Sequence, residues 1–250
     1  MTRPFFLSVV MPAYNEAPSI QAVVQEHVDT IARLSNSLDD WELVCLDDGS
    51  QDGTAVIVEE LSRHNNKIRL LRHAENKGIY QSFKDLYLDA RGTHIYATGS
   101  DGQWPAGNLL KMIPLLDAGA DLVVGVRQNR RAVYSLPRQF VSYAFNFLAK
   151  MLFGIATRDA GSVKLGVRDI FTLDLISRSP FVDAERIIRA HKSGYRVEFV
   201  PITFLARSSG KARGASVGNI LSSLRDCVRL FGQHIIERGV RTSLPTGVQR

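Results

Sequence analysis

The most informative stretch of this chain is Leu43-Val44-Cys45-Leu46-Asp47-Asp48-Gly49-Ser50-Gln51-Asp52-Gly53-Thr54. Four apolar residues, as in a buried parallel strand, lead directly into two carboxylates and then into turn residues that open a helix near Gly53. Ligands of open α/β sheets bind at the carboxyl ends of strands, where Asp47 and Asp48 would accept hydrogen bonds from a base and a ribose. An ordinary turn, in which Asp and Ser only cap a helix, explains this stretch equally well on its own.

Composition places the chain among ordinary globular proteins. Of its 250 residues, 45% are hydrophobic and 22% charged, enough for one sizeable core or two fused halves. The formal net charge of +6 suits a nucleotide, a phosphate or an anionic membrane surface without choosing among them, and charge alone leaves nucleic acid open. Cys45 and Cys227 lack metal-ligand spacing and predict buried free thiols in a reducing compartment.

Targeting signals are not evident in the sequence. The apolar run from Phe5 to Met11 breaks at once into Pro12-Ala13-Tyr14-Asn15-Glu16, so we expect no signal peptide. No window reaches the roughly 20 apolar residues that a transmembrane helix needs. The sequence therefore predicts a cytoplasmic protein.

The first half of the chain alternates between strand and helix patterns. Strands are predicted at about 6–11, 43–46, 68–71, 94–98 and 121–126, and helices at about 20–34, 54–61, 79–88 and 109–116, with Ser19 as the cap of the first helix. Strands separated by helices of ten or so residues indicate βαβ units with right-handed crossovers. The fold class is thus α/β, with a mostly parallel twisted sheet flanked by helices.

The pattern changes beyond Arg127. An arginine-rich stretch, 127–138, precedes an apolar helix at 140–153, which fits either a buried core helix or an element lying in the membrane interface. A segment at 159–173, a helix at 183–191 and a strand at 196–200 follow. In the final helix, one apolar stripe runs beside Arg225 and Arg229; it consists of Val217, Leu221, Leu224, Val228, Phe231 and Ile235.

Polar turns follow four successive strands, which makes a ligand site more plausible than four unrelated caps. As a set, these turns resemble those of glycosyltransferase family 2, which has the GT-A fold. They read Val9-Val10-Met11-Pro12-Ala13-Tyr14-Asn15-Glu16, Leu46-Asp47-Asp48-Gly49-Ser50-Gln51-Asp52-Gly53-Thr54, Asn76-Lys77-Gly78 and Gly99-Ser100-Asp101-Gly102-Gln103.

The resemblance implies a nucleoside diphosphate sugar donor and a divalent ion, Mg²⁺ or Mn²⁺, bound by Asp101. Gly99 stands where the family's motif has its first Asp, so Asp101 is the one carboxylate left in that motif. The residues implied in donor nucleotide binding are Pro12, Tyr14, Glu16, Asp47, Asp48, Asn76, Gly78 and Ser100.

The second half is similar to the branch of the family that includes dolichyl-phosphate mannose synthase and polyprenyl-phosphate glycosyltransferases. The matching features are Ser142 and Asn146 after the arginine-rich segment, the run Asp159-Ala160-Gly161-Ser162-Val163-Lys164, Glu185, and the run Arg207-Ser208-Ser209-Gly210-Lys211-Ala212-Arg213. The branch implies transfer of the sugar, with inversion, to a polyprenyl phosphate, by a protein peripheral on the cytoplasmic face of the membrane.

The many basic side chains in the second half of the sequence suit a phosphate acceptor. A phosphate monoester is largely an anion at neutral pH and needs cations more than a base, whereas a sugar hydroxyl needs a general base. We expect catalytic roles for Asp101, Asp159, Glu185 and Arg207, although Glu185 could equally be a surface acid. Contacts to the acceptor or the diphosphate are expected from Arg130, Arg131, Lys164, Lys211 and Arg213, whereas Arg127 and Arg138 are expected to be solvated surface charges.

Three other functions stay open. One is a family 2 transferase whose acceptor is a hydroxyl of a glycan or other cell-surface precursor, with Asp159 or Glu185 as base. Another, motivated by Gly99, is a nucleotide-binding relative without catalysis. The third, a nucleic-acid binder, has no supporting recognition motif. In all cases we expect one domain at 1–240, with a nucleotide-sugar half at 1–105 and an acceptor half at 106–240, and a flexible tail at 241–250.

Overall fold

The computed structural model describes residues 5–34, 37–128, 136–205 and 217–243, and the side chains of these ranges except at 136–144, 217 and 236–243. Strand and helix alternate through the first half as the sequence predicts. The elements are β1 (Phe5–Ala13), α1 (Ile20–Ala32), β2 (Leu38–Asp47), α2 (Thr54–His64), β3 (Ile68–Arg72), α3 (Ile79–Asp89) and β4 (His94–Ala97).

The second half adds three strands and the two longest helices. Its elements are α4 (Asn108–Asp117), β5 (Leu122–Arg127), α5 (Leu136–Phe153), β6 (Lys164–Val167), α6 (Arg168–Phe171), α7 (Val182–Lys192), β7 (Val197–Ile202) and α8 (Val217–Ser243). Residues 241–243, which the sequence assigned to a flexible tail, continue α8, and 244–250 lie outside the described residues. No helix within the described ranges combines the length and apolarity needed to cross a bilayer.

The strands form one seven-stranded sheet in the order β3-β2-β1-β4-β6-β5-β7. All neighbouring strands are parallel except where β6 lies antiparallel between β4 and β5. The sequence left β6 unassigned within the segment 159–173. Because β6 runs in the opposite direction, it starts at the edge of the sheet where the parallel strands end, and Lys164 lies beside both Ala97 and Val124.

Helices cover both faces of the sheet. On one face, Leu7, Val9 and Met11 of β1 pack in a core with α1 and α4, and on the other face Val10 packs in a core with α3 and α7. A strand buried on both faces needs apolar residues at successive positions, which explains the continuous apolar run in β1. Cys45 and Cys227 are both buried, as the sequence predicts.

His27 lies on the buried face of α1, and its ring Nδ1 is 2.8 Å from the carbonyl oxygen of Val23. Burial lowers its pKa below the ordinary value of 6.5. Since the unfolded chain then binds a proton that the folded chain does not, the free energy of unfolding should fall as the pH drops below about 6.5, by about 1.4 kcal/mol per pH unit from this residue.

A His27→Leu variant should lack this contribution. We expect its urea-unfolding free energy to fall less steeply than that of the wild type between about pH 6.5 and 5. The other histidines and carboxylates are common to both proteins, so the difference between the two curves isolates His27. Parallel curves over this range would contradict a neutral buried imidazole.

Candidate functional site

The turns predicted to bind a ligand lie together at the carboxyl edge of the sheet. Backbone hydrogen bonds continue the strand pairing into them: the N–H of Asp48 donates to Ala13 O (2.8 Å), and that of His73 donates to Asp47 O (2.9 Å). The N–H of Thr98 donates to Val10 O (3.1 Å). The edge therefore brings together residues that are distant in the chain, among them Tyr14, Asp47, Asp48, Ser100 and Asp101.

The first and second turns are interlocked by side chains. The N–H of Asn15 donates to Ser50 Oγ, and the N–H of Gln51 donates to Asn15 Oδ1, both at 2.9 Å. The N–H of Glu16 donates to Thr54 Oγ1 at 2.9 Å. These bonds fix the residues after β1 against those after β2, so Tyr14 and Glu16 are held at the start of a rigid double turn.

Ser19 occupies the cap position of α1 but does not cap the helix with its side chain, contrary to the sequence prediction. Its hydroxyl lies 3.0 Å from Glu16 Oε2 and 3.0 Å from the carbonyl oxygen of Ser100. Ser100 is itself buried and donates its hydroxyl to the carbonyl oxygen of Pro12 at 2.7 Å. The hydrogen bond between Ser100 and Pro12 thus connects the fourth turn to the first inside the protein.

Asp48 is buried and positions the third turn. Its Oδ1 and Oδ2 accept hydrogen bonds from the N–H groups of Lys77 and Gly78, both at 2.9 Å. Nδ1 of His73 lies 2.6 Å from Asp48 Oδ1, and Nε2 of the same ring lies 3.0 Å from Asp85 Oδ2. The carboxylate is therefore occupied by protein donors, an arrangement that favours shaping the loop over direct contact with a base.

Gly49 lets the second and third turns touch. Its φ is +75°, and a Cβ there would lie 2.8 Å from the backbone carbonyl carbon of Glu75 and 2.9 Å from the backbone nitrogen of Asn76. Both the left-handed backbone and the close approach exclude a larger side chain. Asn76 itself is exposed on the outer side of this contact.

A cavity of about 450 Å³ opens between the second turn and the end of β3. The side chain of Asp47 is buried at its wall, with Oδ2 4.0 Å from Nε of the exposed Arg72. The lining residues are Asp47, Gly49, Ser50, Gln51, Arg72, His73 and Ala74. Sequence reasoning did not select Gln51, Arg72, His73 or Ala74 as site residues, although Arg72 ends a parallel strand and its position at this edge follows from that.

The fourth turn carries Asp101, which is half-buried and accepts a hydrogen bond from the N–H of Gln103 at Oδ1 (3.1 Å). Among the described residues, no group of three or more His, Cys, Asp and Glu side chains could hold a metal ion alone. Mg²⁺ and Mn²⁺ prefer oxygen ligands and commonly keep waters and substrate phosphates beside one or two carboxylates. Asp101 therefore fits an ion that arrives with a diphosphate, and does not fit an all-protein metal cage.

Trp104 occupies the space beside Gly99. A Cβ on Gly99 would lie 3.1 Å from Cδ1 of the Trp104 indole, tighter than most packed contacts, and 3.4 Å from its Nε1, at the limit of ordinary contact. The same Cβ would lie 3.5 Å from Asp101 Oδ1. A side chain at position 99 would therefore crowd the Trp104 indole.

This crowding predicts the behaviour of Gly99→Asp. The restored acid should collide with the indole, lower the free energy of unfolding by about 1 kcal/mol and leave Mn²⁺ affinity in the presence of nucleoside diphosphate within about twofold of wild type. Combining Gly99→Asp with Trp104→Ala should tighten Mn²⁺ binding by about tenfold, because a second carboxylate then reaches the ion. Calorimetric titration measures the Mn²⁺ affinities, and urea unfolding measures the stability, with Trp104→Ala alone as the control. If Gly99→Asp alone tightened Mn²⁺ binding as much as the double variant, the coupling between positions 99 and 104 would be contradicted.

Arg127 and Asp159 form a buried ion pair beside Trp104. Asp159 Oδ2 accepts hydrogen bonds from the backbone N–H of Arg127 (3.0 Å) and from its Nε (2.7 Å), while Nη2 donates to Oδ1. The side chains are only 9% and 1% exposed. The guanidinium carbon lies 5.3 Å from the Trp104 ring centroid and 5.2 Å from that of Phe204. The prediction that Arg127 is a solvated surface charge is therefore wrong, because these aromatic rings and a carboxylate enclose it.

The fourth turn is tied to the chain just after β7. The N–H of Leu205 donates to Gln103 O (2.9 Å), and Gln103 Nε2 donates to Leu205 O (3.2 Å). At the start of α4, Nδ2 of Asn108 donates a hydrogen bond to Thr203 O (2.9 Å), and the N–H of Thr203 donates to Asn108 Oδ1 (3.0 Å). Leu205, the last residue of the described range 136–205, is thus held against the turn that carries Asp101.

Several predicted site residues cannot be placed. Arg130, Arg131, Arg207, Lys211 and Arg213 lie outside the described residues, as does the side chain of Arg138.

Glu185 and Lys164 are buried in structural contacts. Glu185 accepts hydrogen bonds from the N–H groups of Ile176 (3.0 Å) and Ser177 (2.8 Å) and from Nε of Arg189 (2.6 Å). Lys164 Nζ lies 2.8 Å from Asp183 Oδ1 and 3.0 Å from the carbonyl oxygen of Ser162. These partners favour positioning of α7 and its preceding loop over proton transfer by Glu185.

Comparison with known proteins finds a transferase among the relatives of this chain. The chain is 29% identical over 200 residues to undecaprenyl-phosphate 4-deoxy-4-formamido-L-arabinose transferase of Salmonella choleraesuis, covering 78% of this chain and 54% of that protein. The chain therefore spans about half the length of this curated relative.

Solved structures share the fold at lower identity. Mannosyltransferase PcManGT from Pyrobaculum calidifontis, in complex with GDP-Man and Mn²⁺, superposes with a TM-score of 0.64 at 19% identity, over 91% of this chain and 65% of that one. Glucosyl-3-phosphoglycerate synthase from Mycobacterium tuberculosis, in complex with Mn²⁺, UDP-glucose and phosphoglyceric acid, superposes with a TM-score of 0.66 at 17% identity, over 90% and 80%. The architecture is that of the GT-A glycosyltransferases.

A family model described as glycosyl transferase family 2 matches residues 8–171, which include all four polar turns and the Arg127–Asp159 pair. The matched region is more than half of the chain. The protein therefore belongs to glycosyl transferase family 2.

Proposed function

We propose that this glycosyltransferase moves a sugar from a nucleoside diphosphate sugar to a polyprenyl phosphate, with inversion at the anomeric carbon, as a peripheral protein on the cytoplasmic face of the membrane. The observation that carries the proposal is the hydrogen-bonded pair of Gln103 and Leu205. It joins the turn of Asp101, where the donor diphosphate would lie, to Leu205, which precedes in the sequence the basic run that would meet a phosphate acceptor.

The donor nucleotide is assigned to the cavity between the second turn and β3. Its wall offers the buried carboxylate of Asp47 and the guanidinium of Arg72, which suit the polar edge of a base or the hydroxyls of a ribose. Pro12, Ser100, Asp48 and Gly78 shape this edge through backbone and buried side-chain contacts. Tyr14, Glu16 and Asn76 are the remaining candidates for contacts to the donor.

Asp101 would hold the divalent ion. Mg²⁺ or Mn²⁺, when bound, neutralises charge on the donor diphosphate and so stabilises the departing nucleoside diphosphate. Mn²⁺ accompanies the nucleotide sugar in both solved relatives described above. In this chain, Asp101 needs help from the phosphates because Gly99 offers no second carboxylate.

The hydrogen bonds that hold the two candidate bases, Asp159 and Glu185, favour a phosphate acceptor. Asp159 is enclosed with Arg127, and Glu185 accepts three hydrogen bonds from neighbouring groups. A hydroxyl acceptor would require one of these carboxylates to leave its partners before it could take a proton. A phosphate monoester attacks as an anion and requires only cations to position it. Arg207, Lys211 and Arg213 would supply them, with Arg130 and Arg131 from the other basic segment.

The name of the Salmonella relative includes undecaprenyl phosphate, which supports a polyprenyl acceptor. An acceptor of that kind resides in a membrane, and the positive net charge of +6 suits an anionic bilayer surface. The formamido-arabinose of that relative does not determine the sugar here, because sugar identity depends on local contacts.

The test is transfer of radiolabel from a panel of UDP- and GDP-sugars, with Mg²⁺ or Mn²⁺, into organic-extractable product. Label in the organic phase that requires both the metal ion and added polyprenyl phosphate is the expected result. Release of nucleoside diphosphate without lipid product would indicate a hydroxyl acceptor of a glycan or other cell-surface precursor. Donor binding without any release would indicate a non-catalytic relative and would overturn the proposal.

A further inference from the structure

Helix α8 packs on the body of the protein through a specific set of residues. Ser223, Asp226, Cys227 and Leu230 are buried. Oδ2 of Asp226 accepts hydrogen bonds from the N–H groups of Arg178 (3.0 Å) and Ser179 (3.1 Å). A buried carboxylate with two backbone donors fixes the rotation of the helix, because any turn of α8 about its axis would leave these groups unsatisfied.

Four of the six residues in the apolar stripe predicted from the sequence therefore face outward, whereas Phe231 packs against the core and the side chain of Val217 is not described. Leu221, Leu224, Val228 and Ile235 are all exposed. At 3.6 residues per turn, the four side chains fall within an arc of about 60° on the side opposite the buried residues. Large apolar side chains on the outer face of a fixed helix form a surface that needs a partner.

A basic border runs along this stripe. Arg225 and Arg229 project beside it and are exposed, each with a guanidinium nitrogen 3.9 Å from Oδ1 of the buried Asp226. Asp226 is the only acidic residue between 217 and 235 in the sequence. One buried carboxylate thus faces two guanidiniums, which leaves the outer surface of α8 positive.

Helix α5 repeats the pattern on a smaller scale. Phe147 and Met151, one turn apart, are exposed, and Lys150 lies between them in the sequence. The sequence of α5 contains no acidic residue. The two helices pack against each other, with the rings of Phe153 and Phe231 edge to face at 5.9 Å. Both helices therefore combine exposed apolar groups with positive charge.

We propose that the outer face of α8, with the exposed residues of α5, is a docking surface for an anionic lipid bilayer, on which the helices lie in the interfacial plane. An apolar stripe bordered by arginines matches such a surface, because the apolar side chains enter the acyl boundary while the guanidiniums meet the headgroup phosphates. Association of two copies through the same face would oppose their arginine borders across the symmetry axis.

The location of this surface links it to the candidate active site. Residues 206–216 alone separate Leu205, beside the Asp101 turn, from the start of α8. Docking of α8 on the bilayer would hold both ends of that basic segment, one at the donor site and the other at the membrane. The inference rests on the peripheral membrane location in the proposed function, which it deepens, but it does not depend on the transfer reaction itself.

The experiment is flotation of the 250-residue chain with phosphatidylcholine vesicles and with vesicles of phosphatidylcholine and phosphatidylglycerol in equal parts. We expect binding only to the anionic vesicles. Leu221→Ser with Val228→Ser should weaken the partition coefficient by at least about tenfold, and Arg225→Gln with Arg229→Gln by about fivefold for each charge removed. Val56→Ser on α2 is the matched control, since Val56 and Val228 are 68% and 65% exposed, and should leave binding unchanged.

Three results would overturn the inference. They are absence of wild-type binding to anionic vesicles, equal binding by the Leu221→Ser/Val228→Ser variant, and a wild-type dimer in sedimentation equilibrium that this variant converts to monomer. Circular dichroism of each variant confirms that it is folded. Nucleotide-sugar turnover in solution, without vesicles, reports separately on the proposed function, so failure of either proposal is recognised without the other.

Discussion

Replacing Asp101 with asparagine is expected to lower nucleotide-sugar turnover by about a thousandfold, because the variant loses the one carboxylate that the fourth turn offers to a divalent ion. The amide is nearly isosteric and can still accept the hydrogen bond from Gln103, so the turn should keep its shape. Metal-dependent binding of nucleoside diphosphate should weaken, whereas binding measured with chelator present should not change. Turnover assays and calorimetry with and without Mn²⁺ measure these effects.

The matched control is Asp39→Asn. Asp39 is an exposed residue near the start of β2, at the opposite edge of the sheet from Asp101. It should retain wild-type turnover and wild-type nucleotide affinity. Turnover by Asp101→Asn within about threefold of wild type would exclude Asp101 as an essential metal ligand.

Replacing Asp159 with asparagine is expected to lower the free energy of unfolding by about 3 kcal/mol or more, since it removes the carboxylate that faces the buried guanidinium of Arg127. Urea unfolding provides the measurement. Asp40→Asn is the control: it removes one partner of the exposed Lys67–Asp40 pair and should cost less than about 1 kcal/mol. Arg127→Met combined with Asp159→Asn should cost less than the sum of the two single changes, because no isolated charge is left.

The kinetics of the same variants separate a positioning role of Asp159 from base catalysis. If Asp159 holds Arg127 and Trp104 in place, Arg127→Met should reduce turnover about as much as Asp159→Asn does, at temperatures where both are folded. If Asp159 takes a proton from a hydroxyl acceptor, Asp159→Asn should be slower by a further factor of about a hundred. The second result would contradict the assignment of a phosphate acceptor.

Much of the fold could be predicted because its signals are local. Apolar runs and helical periodicity located the first five strands and the helices between them, and polar turns at the ends of these strands indicated the ligand edge. The short strand β6 could not be recognised, because Lys164-Leu165-Gly166-Val167 is too short to show a period. Because β6 was not predicted, the sequence did not show that Arg127 pairs with Asp159, 32 residues further along the chain.

The roles of the buried carboxylates could not be predicted from the sequence either. Asp48 and Glu185 owe their positions to backbone N–H groups of loops, and no residue pattern records which loop a carboxylate will meet. The apolar stripe in α8 could be recognised from its periodicity, but the sequence did not show whether it faces the core or the solvent. Asp226 and the groups it binds decide which side of the helix faces the core, although a polar residue would ordinarily be assigned to the solvent side.

The antiparallel strand between β4 and β5 has a consequence for the order of folding. As the chain leaves the ribosome, β1 to β4 can pair with one another, but β5 has only β6 and β7 as neighbours and must wait for residues made later. Until β6 arrives, β4 presents an open edge to other chains. Pulse-labelling hydrogen exchange during refolding should show amides of β5 protected no earlier than those of β6, so a strand of four residues determines when the two halves of the molecule become one sheet.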